Sequence, residues 1–175
     1  ATRGWLHLSD LEYSPPSLGS DVRFVKYLLQ QRYYRTAGPV ALATSARLGL
    51  ATAFGQHLLP QEGFFAGGGN SVRGYGEDEL SPNDAFGPVG GNALVVLNLE
   101  VRFPVFKIVR GVSFFDAGRA FDTVGHVALT DLSSGTGAGV RIQTPIALIR
   151  VDYGVPLDRA VPRRGRWFFS VGQAF

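Results

Sequence analysis

The chain has 175 residues, a formal net charge of +3 and no cysteine. This length suits one domain, the missing cysteines exclude a disulfide framework and thiolate metal sites, and scattered basic residues argue against nucleic-acid binding. A transmembrane helix is excluded because no run of about 18 apolar residues occurs. The start of the chain lacks a charged region followed by an apolar one, so we expect that a secretory signal has been removed or that the sequence is part of a longer chain.

Glycine is unusually frequent, with 23 residues, and it is a poor helix former. Turn residues divide the chain into about eight segments with strand character. In chain order they lie near residues 2–12, 21–35, 39–53, 92–104, 107–119, 135–144, 147–157 and 165–175.

The fourth segment shows the clearest alternation of apolar and polar residues. Leu97, Leu99 and Val101 fall on one side of a strand, and Asn98 and Glu100 fall on the other. The third, sixth and seventh segments alternate in the same way. Such segments predict half-buried strands, whereas the first, second and fifth segments are mixed.

The last ten residues also alternate, with bulky apolar residues on one side and small or polar ones on the other. The apolar side carries Trp167, Phe169, Val171 and Phe175. A membrane β-barrel strand has this pattern, since its apolar face meets lipid and its small face meets a wet lumen. We therefore predict that Trp167, Phe169 and Phe175 face lipid, with Phe175 near the periplasmic interface.

The predicted connections also alternate in length. Those near residues 36–38, 104–106 and 144–146 are tight, whereas 13–20, 54–91, 120–134 and 158–164 are longer. Outer-membrane barrels combine short periplasmic turns with long external loops, and a soluble sandwich has no reason to do so. The patterns favour an all-β fold, a transmembrane antiparallel β-barrel with about eight strands, over a soluble all-β domain.

Four motifs resemble those of the BamA/TamA-type outer-membrane insertase superfamily, also called the bacterial surface antigen family. They are FFAGGGNSVRGY at 64–75, FFDAG at 114–118, GAGVR at 137–141 with RVDYG at 150–154, and FFSVGQAF at 168–175. Their order and spacing match, so the resemblance covers essentially the whole chain. It implies a location in the outer membrane of a Gram-negative-type envelope.

The resemblance implies that this chain is the carboxyl-terminal half of a barrel that has sixteen strands in the family. The single domain, residues 1–175, would then be a half-barrel whose loop 54–91 folds into the lumen. In the family, the arginine matching Arg73 meets the aspartate matching Asp116. Arginine can hold a carboxylate through two parallel hydrogen bonds, although without the motif a solvated loop arginine would be the simpler interpretation.

The remaining site residues are also implied by the matched motifs. The loop motif comprises Val72, Arg73, Gly74 and Tyr75, and Asp116 is its lumenal partner. The supporting residues are Gly118, Gly137, Gly139, Arg141, Asp152 and Gly154. The carboxyl-terminal assembly signal comprises Phe169, Val171, Gly172 and Phe175.

Three further charged residues, Glu100, Arg102 and Arg150, fall on predicted lumen faces together with Arg141 and Asp152. They could form a network that anchors the loop, but wetting of a barrel interior is the simpler account of any one of them. Arg141 and Asp152 rank above the others because they lie in matched motifs.

Other chemistry finds little support in the sequence. The glycine run lacks the Gly-Lys-Ser/Thr of a phosphate-binding loop, the acidic residues 77–79 lack EF-hand spacing, and the three histidines are far apart in sequence. No Ser, His and acid set lies in a recognised catalytic context. We therefore expect a non-enzymatic protein without a cofactor or metal.

The resemblance implies a role in inserting or translocating nascent outer-membrane polypeptides, with the lipid bilayer as a second partner. Two alternatives remain open: a structural or passive pore barrel, and a membrane anchor for an upstream domain. An eight-stranded barrel has room only for its own side chains, so eight strands should not close around loop 54–91. A second copy of the chain or another barrel half would complete a wider barrel, and a narrow barrel that expels the loop is the remaining outcome.

Overall fold

The structure is a computed structural model that describes residues 3–15, 23–55, 58–144, 147–158 and 164–172. These residues form an all-β fold, as predicted. The strands are β1 (Arg3–Ser14), β2 (Phe24–Ala37), β3 (Val40–Ala53), β4 (Asn83–Asp84), β5 (Gly87–Pro88), β6 (Ala93–Phe106), β7 (Val109–Phe121), β8 (Ser133–Gln143), β9 (Leu148–Pro156) and β10 (Arg166–Val171). Short 3-10 turns lie at Pro60–Glu62, Val124–His126 and Leu129–Asp131.

Eight of these strands form one antiparallel sheet in the order β1-β2-β3-β6-β7-β8-β9-β10. Each corresponds to one of the eight predicted segments. Short connections join β2 to β3, β6 to β7 and β8 to β9, and all of them lie at the same end of the strands. The prediction of short turns at one end and long connections at the other is therefore confirmed.

The two faces of the sheet differ in burial. On β6, Leu97, Leu99 and Val101 are exposed, whereas Asn98 and Glu100 between them are buried. We call the face that carries Asn98 and Glu100 the inner face and the opposite one the outer face. The exposed apolar residues on the outer face fit a surface that contacts lipid.

The segment between β3 and β6 folds back onto the inner face. Its base is closed by two backbone hydrogen bonds between Phe64 and Gly91, each 2.8 Å long. Phe64 and Ala66 pack against inner-face residues of the sheet, which include Ala51, Leu94 and Val96. The small hairpin of β4 and β5 in this segment had no signal in the sequence pattern, because each of its strands has only two residues.

The first and last strands lie at the two edges of the sheet, and within the described residues they do not pair with each other. β1 is exposed along nearly its whole length. Among the described residues, no helix is long and apolar enough to span a membrane.

Candidate functional site

The centre of the inner face is occupied by Arg73, which the folded segment carries to the sheet. Its guanidinium binds the Asp116 carboxylate of β7 through two parallel contacts, Nε to Oδ2 at 2.6 Å and Nη2 to Oδ1 at 2.8 Å. The backbone N–H of Arg73 donates to the same Oδ2 at 3.1 Å. Arg73 is 2% exposed and Asp116 0% exposed. The contact implied by the motif resemblance is thus present, and it excludes solvent.

Two more carboxylates complete the surroundings of Arg73. Its Nη1 donates to Glu100 Oε1 of β6 at 2.6 Å and to Asp152 Oδ2 of β9 at 3.1 Å. We call Asp116, Glu100 and Asp152 the carboxylate cage. A buried ion pair is favourable only when the geometry is good and the remaining lone pairs are satisfied, and the cage meets both conditions.

Arginines from the sheet strands neutralise the carboxylate oxygens of the cage. Arg141 on β8 bridges two of its members, with Nη1 2.5 Å from Asp152 Oδ1 and Nη2 3.0 Å from Glu100 Oε1. Arg102 donates twice to Glu100 Oε2, at 2.9 and 2.8 Å. Arg150 Nε lies 2.9 Å from Asp152 Oδ2. Three carboxylates therefore meet four guanidinium groups, which balances most of the charge in a buried volume.

Neutral groups finish the packing around Arg73. The Phe114 ring lies under its guanidinium, with Cζ 3.6 Å from the ring centroid, a cation–π contact. Asn98 Nδ2 donates to Asp116 Oδ1 at 2.9 Å and to the Ser71 carbonyl at 2.7 Å. These contacts leave the Arg73 side chain with one well-defined orientation.

The charge state of Arg73 follows from these neighbours. Burial lowers the pKa of the guanidinium, but the hydrogen bond and charge of Asp116, together with the charges of Glu100 and Asp152, outweigh burial and raise the pKa above its usual value. Arg73 is therefore a permanent cation. Its role is attraction and positioning, not proton transfer.

Arg150 and a further arginine, Arg47, hold the peptide just before the loop motif. Arg150 Nη2 donates to the Gly69 carbonyl, and Arg47 Nη2 on β3 donates to the Asn70 carbonyl at 2.6 Å. Because β3 and β9 are separated by three strands in the sheet, these two contacts span much of the inner face. Sequence reasoning missed Arg47, although its position on the polar side of the third segment was a usable signal.

The other residues of the loop motif are also buried against the sheet. Val72 and Tyr75 are almost fully buried, and the Tyr75 hydroxyl donates to the Ser134 carbonyl at 3.0 Å. Gly74 has φ +107°, a conformation that side chains with a Cβ rarely adopt. The motif therefore forms one compact insert on the inner face.

The motif glycines of the sheet lie where this insert comes closest. A Cβ on Gly154 of β9 would meet the Gly74 nitrogen at 2.7 Å and the Arg73 carbonyl carbon at 2.9 Å. A Cβ on Gly118 of β7 would meet Val72 Cγ2 at 3.1 Å. A Cβ on Gly139 would strike the Asp152 carboxylate, and one on Gly137 would strike the Phe114 ring. Glycine at these positions makes room for the cage and the loop.

The loop also contacts the last strand. The Phe168 ring lies on Gly69, where a Cβ would approach the ring to 3.1 Å. Arg166 Nη2 is 3.1 Å from Glu79 Oε2. On the opposite face of β10, Trp167, Phe169 and Val171 are exposed, as the alternation predicted. Gly172 follows the strand, and the predicted position of Phe175 lies outside the described residues.

Burial changes the interpretation of four charged residues. Solvation by a wet interior was the simpler expectation for each of the five charged residues on the predicted lumen faces. It is wrong for four of them, Glu100, Arg141, Arg150 and Asp152, because these are buried and bound within the network. Glu100 contacts three arginines, as Asp152 does. The described residues hold no group of three or more His, Asp or Glu side chains arranged to bind a metal ion.

An antiparallel sheet with an apolar exposed outer face and a buried ionic network on its inner face defines a membrane β-barrel protein. Comparison with known proteins agrees with this class. The sequence matches the Omp85 superfamily domain over residues 1–175. The chain belongs to the Omp85 superfamily, and it is a protein of the outer membrane.

Two relatives and one solved structure illustrate the similarity. The chain is 32% identical to outer membrane protein assembly factor BamA of Nitratidesulfovibrio vulgaris over 185 residues, which covers 99% of this chain and 23% of that protein. It is 36% identical to the chloroplastic outer envelope protein 80 of Arabidopsis thaliana over 122 residues, 65% of this chain and 15% of that protein. The crystal structure of BamA from Haemophilus ducreyi lacking POTRA domains 1-3 aligns with a TM-score of 0.81 at 19% identity, over 97% of this chain and 38% of that one. The chain thus spans only a minor part of the length of each.

Proposed function

We propose that this chain is a membrane-spanning β-barrel unit of an outer-membrane machine that inserts or translocates polypeptides. Its substrates would be nascent outer-membrane polypeptides, and its work would be non-covalent. The free edge of β10 would pair with an incoming strand, because an exposed edge offers unpaired backbone N–H and C=O groups. The carboxylate cage would keep the loop in place on the inner face while the edge exchanges partners.

The observation that carries this proposal is the contact between the loop and β10. The Phe168 ring rests on Gly69, and Arg166 pairs with Glu79. Among the described residues β10 forms six residue pairs with β9, and the contacts from the loop add to what holds this strand. A strand held in this way can change its pairing partner on its free edge while it stays paired with β9 on the other edge.

A site-specific photocrosslinking experiment tests the proposal. A photoreactive amino acid replaces Val171 on β10, and the full-length protein is reconstituted in liposomes with an unfolded outer-membrane polypeptide. We expect crosslinks to the polypeptide from position 171. The matched control is position 99 on β6, which is also exposed on the outer face but has strands on both sides; it should give few crosslinks.

The alternative of a structural or passive pore barrel makes the opposite prediction. In that case positions 171 and 99 would crosslink only to lipid, and liposomes with and without the protein would insert the polypeptide equally. Such a result would reject the insertion role while leaving the family membership and the cage geometry unchanged.

A further inference from the structure

The connection between β7 and β8 carries a feature that the proposed function does not use. This connection, residues 122–132, folds back over the outer face of the sheet. Its residues Val127 and Leu132 pack against Ala93, Val95 and Phe121. On the alternating pattern of β6 and β7 these three side chains point outward, yet Val95 is only 8% exposed. The connection therefore covers part of the outer face. Nearer the short turns, the same face is exposed and fits a surface that contacts lipid.

The position of this connection relative to the bilayer follows from strand geometry. The exposed apolar residues of β6 extend from Phe106 at the short-turn end to Leu97. About nine residues at about 3.4 Å each give roughly 30 Å along the strand, and a tilt of about 40° reduces this to about 23 Å of membrane depth. The apolar band of outer-membrane barrels is about 25 Å tall. The connection thus begins where the apolar band ends, at the external boundary of the bilayer.

The free surface of the connection is itself partly apolar. Leu129 is 73% exposed and Val124 43% exposed. The same connection carries polar contacts: His126 pairs with Asp122 at 3.0 Å, and Arg119 of β7 donates to the Asp131 carbonyl at 3.4 Å. Apolar side chains among polar neighbours, at the level of the headgroups, are the pattern of an interfacial membrane contact.

We infer that residues 122–132 form an interfacial foot, which rests on the external leaflet and inserts Leu129 and Val124 into the boundary between headgroups and acyl chains. The occupant of this surface is lipid, because the foot continues the lipid-facing outer face. The foot would fix the vertical position of β7 and β8, the strands that carry Asp116 and Arg141, relative to the bilayer.

Single-cysteine fluorescence quenching tests this inference, and the absence of native cysteine from the chain makes the labelling selective. Leu129→Cys is labelled with an environment-sensitive dye, and the protein is reconstituted in phosphatidylcholine liposomes. Lipids brominated on their acyl chains quench from inside the bilayer, and iodide quenches from water. Leu97→Cys on the lipid-facing sheet is the positive control. Phe86→Cys, on the β4–β5 turn and 99% exposed, is the aqueous control with an equally apolar native residue.

We expect brominated lipid to quench the dye at position 129 at least half as strongly as at position 97. Iodide should quench it at least threefold less than at position 86. If position 129 instead responds to both quenchers as position 86 does, the foot is exposed to water and the inference is wrong. Protein partners are absent from these liposomes, so shielding from iodide can only come from lipid or from the chain itself. Quenching by brominated lipid distinguishes these two sources.

Discussion

Asp116 accepts three hydrogen bonds from Arg73 and one from Asn98, all inside the protein. Replacing it with Ala would leave a buried guanidinium without its main partner. Removal of one member of a buried pair typically costs about 3–5 kcal/mol. Because the cage is buried and not wet, we expect Asp116→Ala to lower the free energy of unfolding by an amount in this range.

Limited proteolysis in detergent measures the local effect of that change. In Asp116→Ala, residues 64–76 should become cleavable, since the loop loses its principal anchor. Asp122→Ala removes a carboxylate that is exposed outside the cage, and it should leave the cleavage pattern as in the native protein. Equal protection of residues 64–76 in both variants would contradict the anchoring role of Asp116.

Gly154 supports a second prediction at the residue scale. Its Cα faces the backbone of Arg73 and Gly74, and an added Cβ would lie within 3 Å of both. Overpacking of this kind typically costs about 1–3 kcal/mol, so Gly154→Ala should destabilise the protein and displace the loop. Gly125→Ala is the matched control, because a Cβ there meets nothing within 4 Å. A thermal unfolding midpoint that falls equally in both variants would show that the loop contact is not the cause.

At the scale of elements, β10 presents different chemistry on its two faces. Phe169 is exposed on the outer face, whereas the neighbouring Ser170 lies on the inner face with its hydroxyl buried. A charge on a lipid-facing barrel strand costs about 2–4 kcal/mol at the bilayer centre and less near the interfaces. Phe169→Arg should therefore reduce folding into liposomes more than Ser170→Arg does. A gel-shift assay of folded and unfolded protein measures this, and equal yields for the two variants would count against the face assignment.

The pair formed by Arg166 and Glu79 links β10 to the loop and predicts a rescue. Arg166→Glu places two carboxylates together and should weaken the attachment of β10, which hydrogen exchange of the β10 amides would report as faster exchange. Adding Glu79→Arg restores opposite charges and should restore slow exchange. Because both side chains are partly exposed, the effect on overall stability should be small. Exchange that remains fast in the double variant would show that the ion pair does not hold the strand.

For the whole molecule, we propose that β1 and β10 form seams with strands from outside this sequence. The chain covers 23% of the Nitratidesulfovibrio vulgaris relative, and an open edge exposed to lipid leaves backbone groups unsatisfied. The partner strands would come from a second copy or from another barrel half. A narrow barrel closed by this chain alone would have to expel the loop that the structure places against the inner face.

Cysteines introduced near Leu6 on β1 and Val171 on β10 test these seams. Crosslinks between chains, with a native mass above that of one chain, are expected if two copies complete the barrel. Crosslinks to a different chain would show that another barrel half supplies the partner strands. Crosslinks confined to one chain with a monomeric mass would reject it.

Much of the fold followed from local patterns in the sequence. Alternation with period two specifies which side chains share a face of a strand, so Leu97, Leu99 and Val101 could be assigned to the exposed face before any pairing was known. Turn residues placed the strand ends within a few positions. Arg73 and Asp116 were identified only through motif resemblance, because 43 residues separate them and no local rule joins positions that far apart.

The tertiary structure decided which polar side chains are buried. Sequence alternation placed Glu100 and Arg150 on an inner face, but whether that face is wet depends on what lies against it. The loop fills the space, so carboxylates and guanidinium groups lose water and must satisfy one another. The same dependence applies outside the sheet, where Val95 has the parity of a lipid-facing residue but is covered by the β7–β8 connection. Periodicity determines the face of the strand on which each side chain lies. Burial depends on contacts between segments distant in sequence, and only the folded chain specifies those contacts.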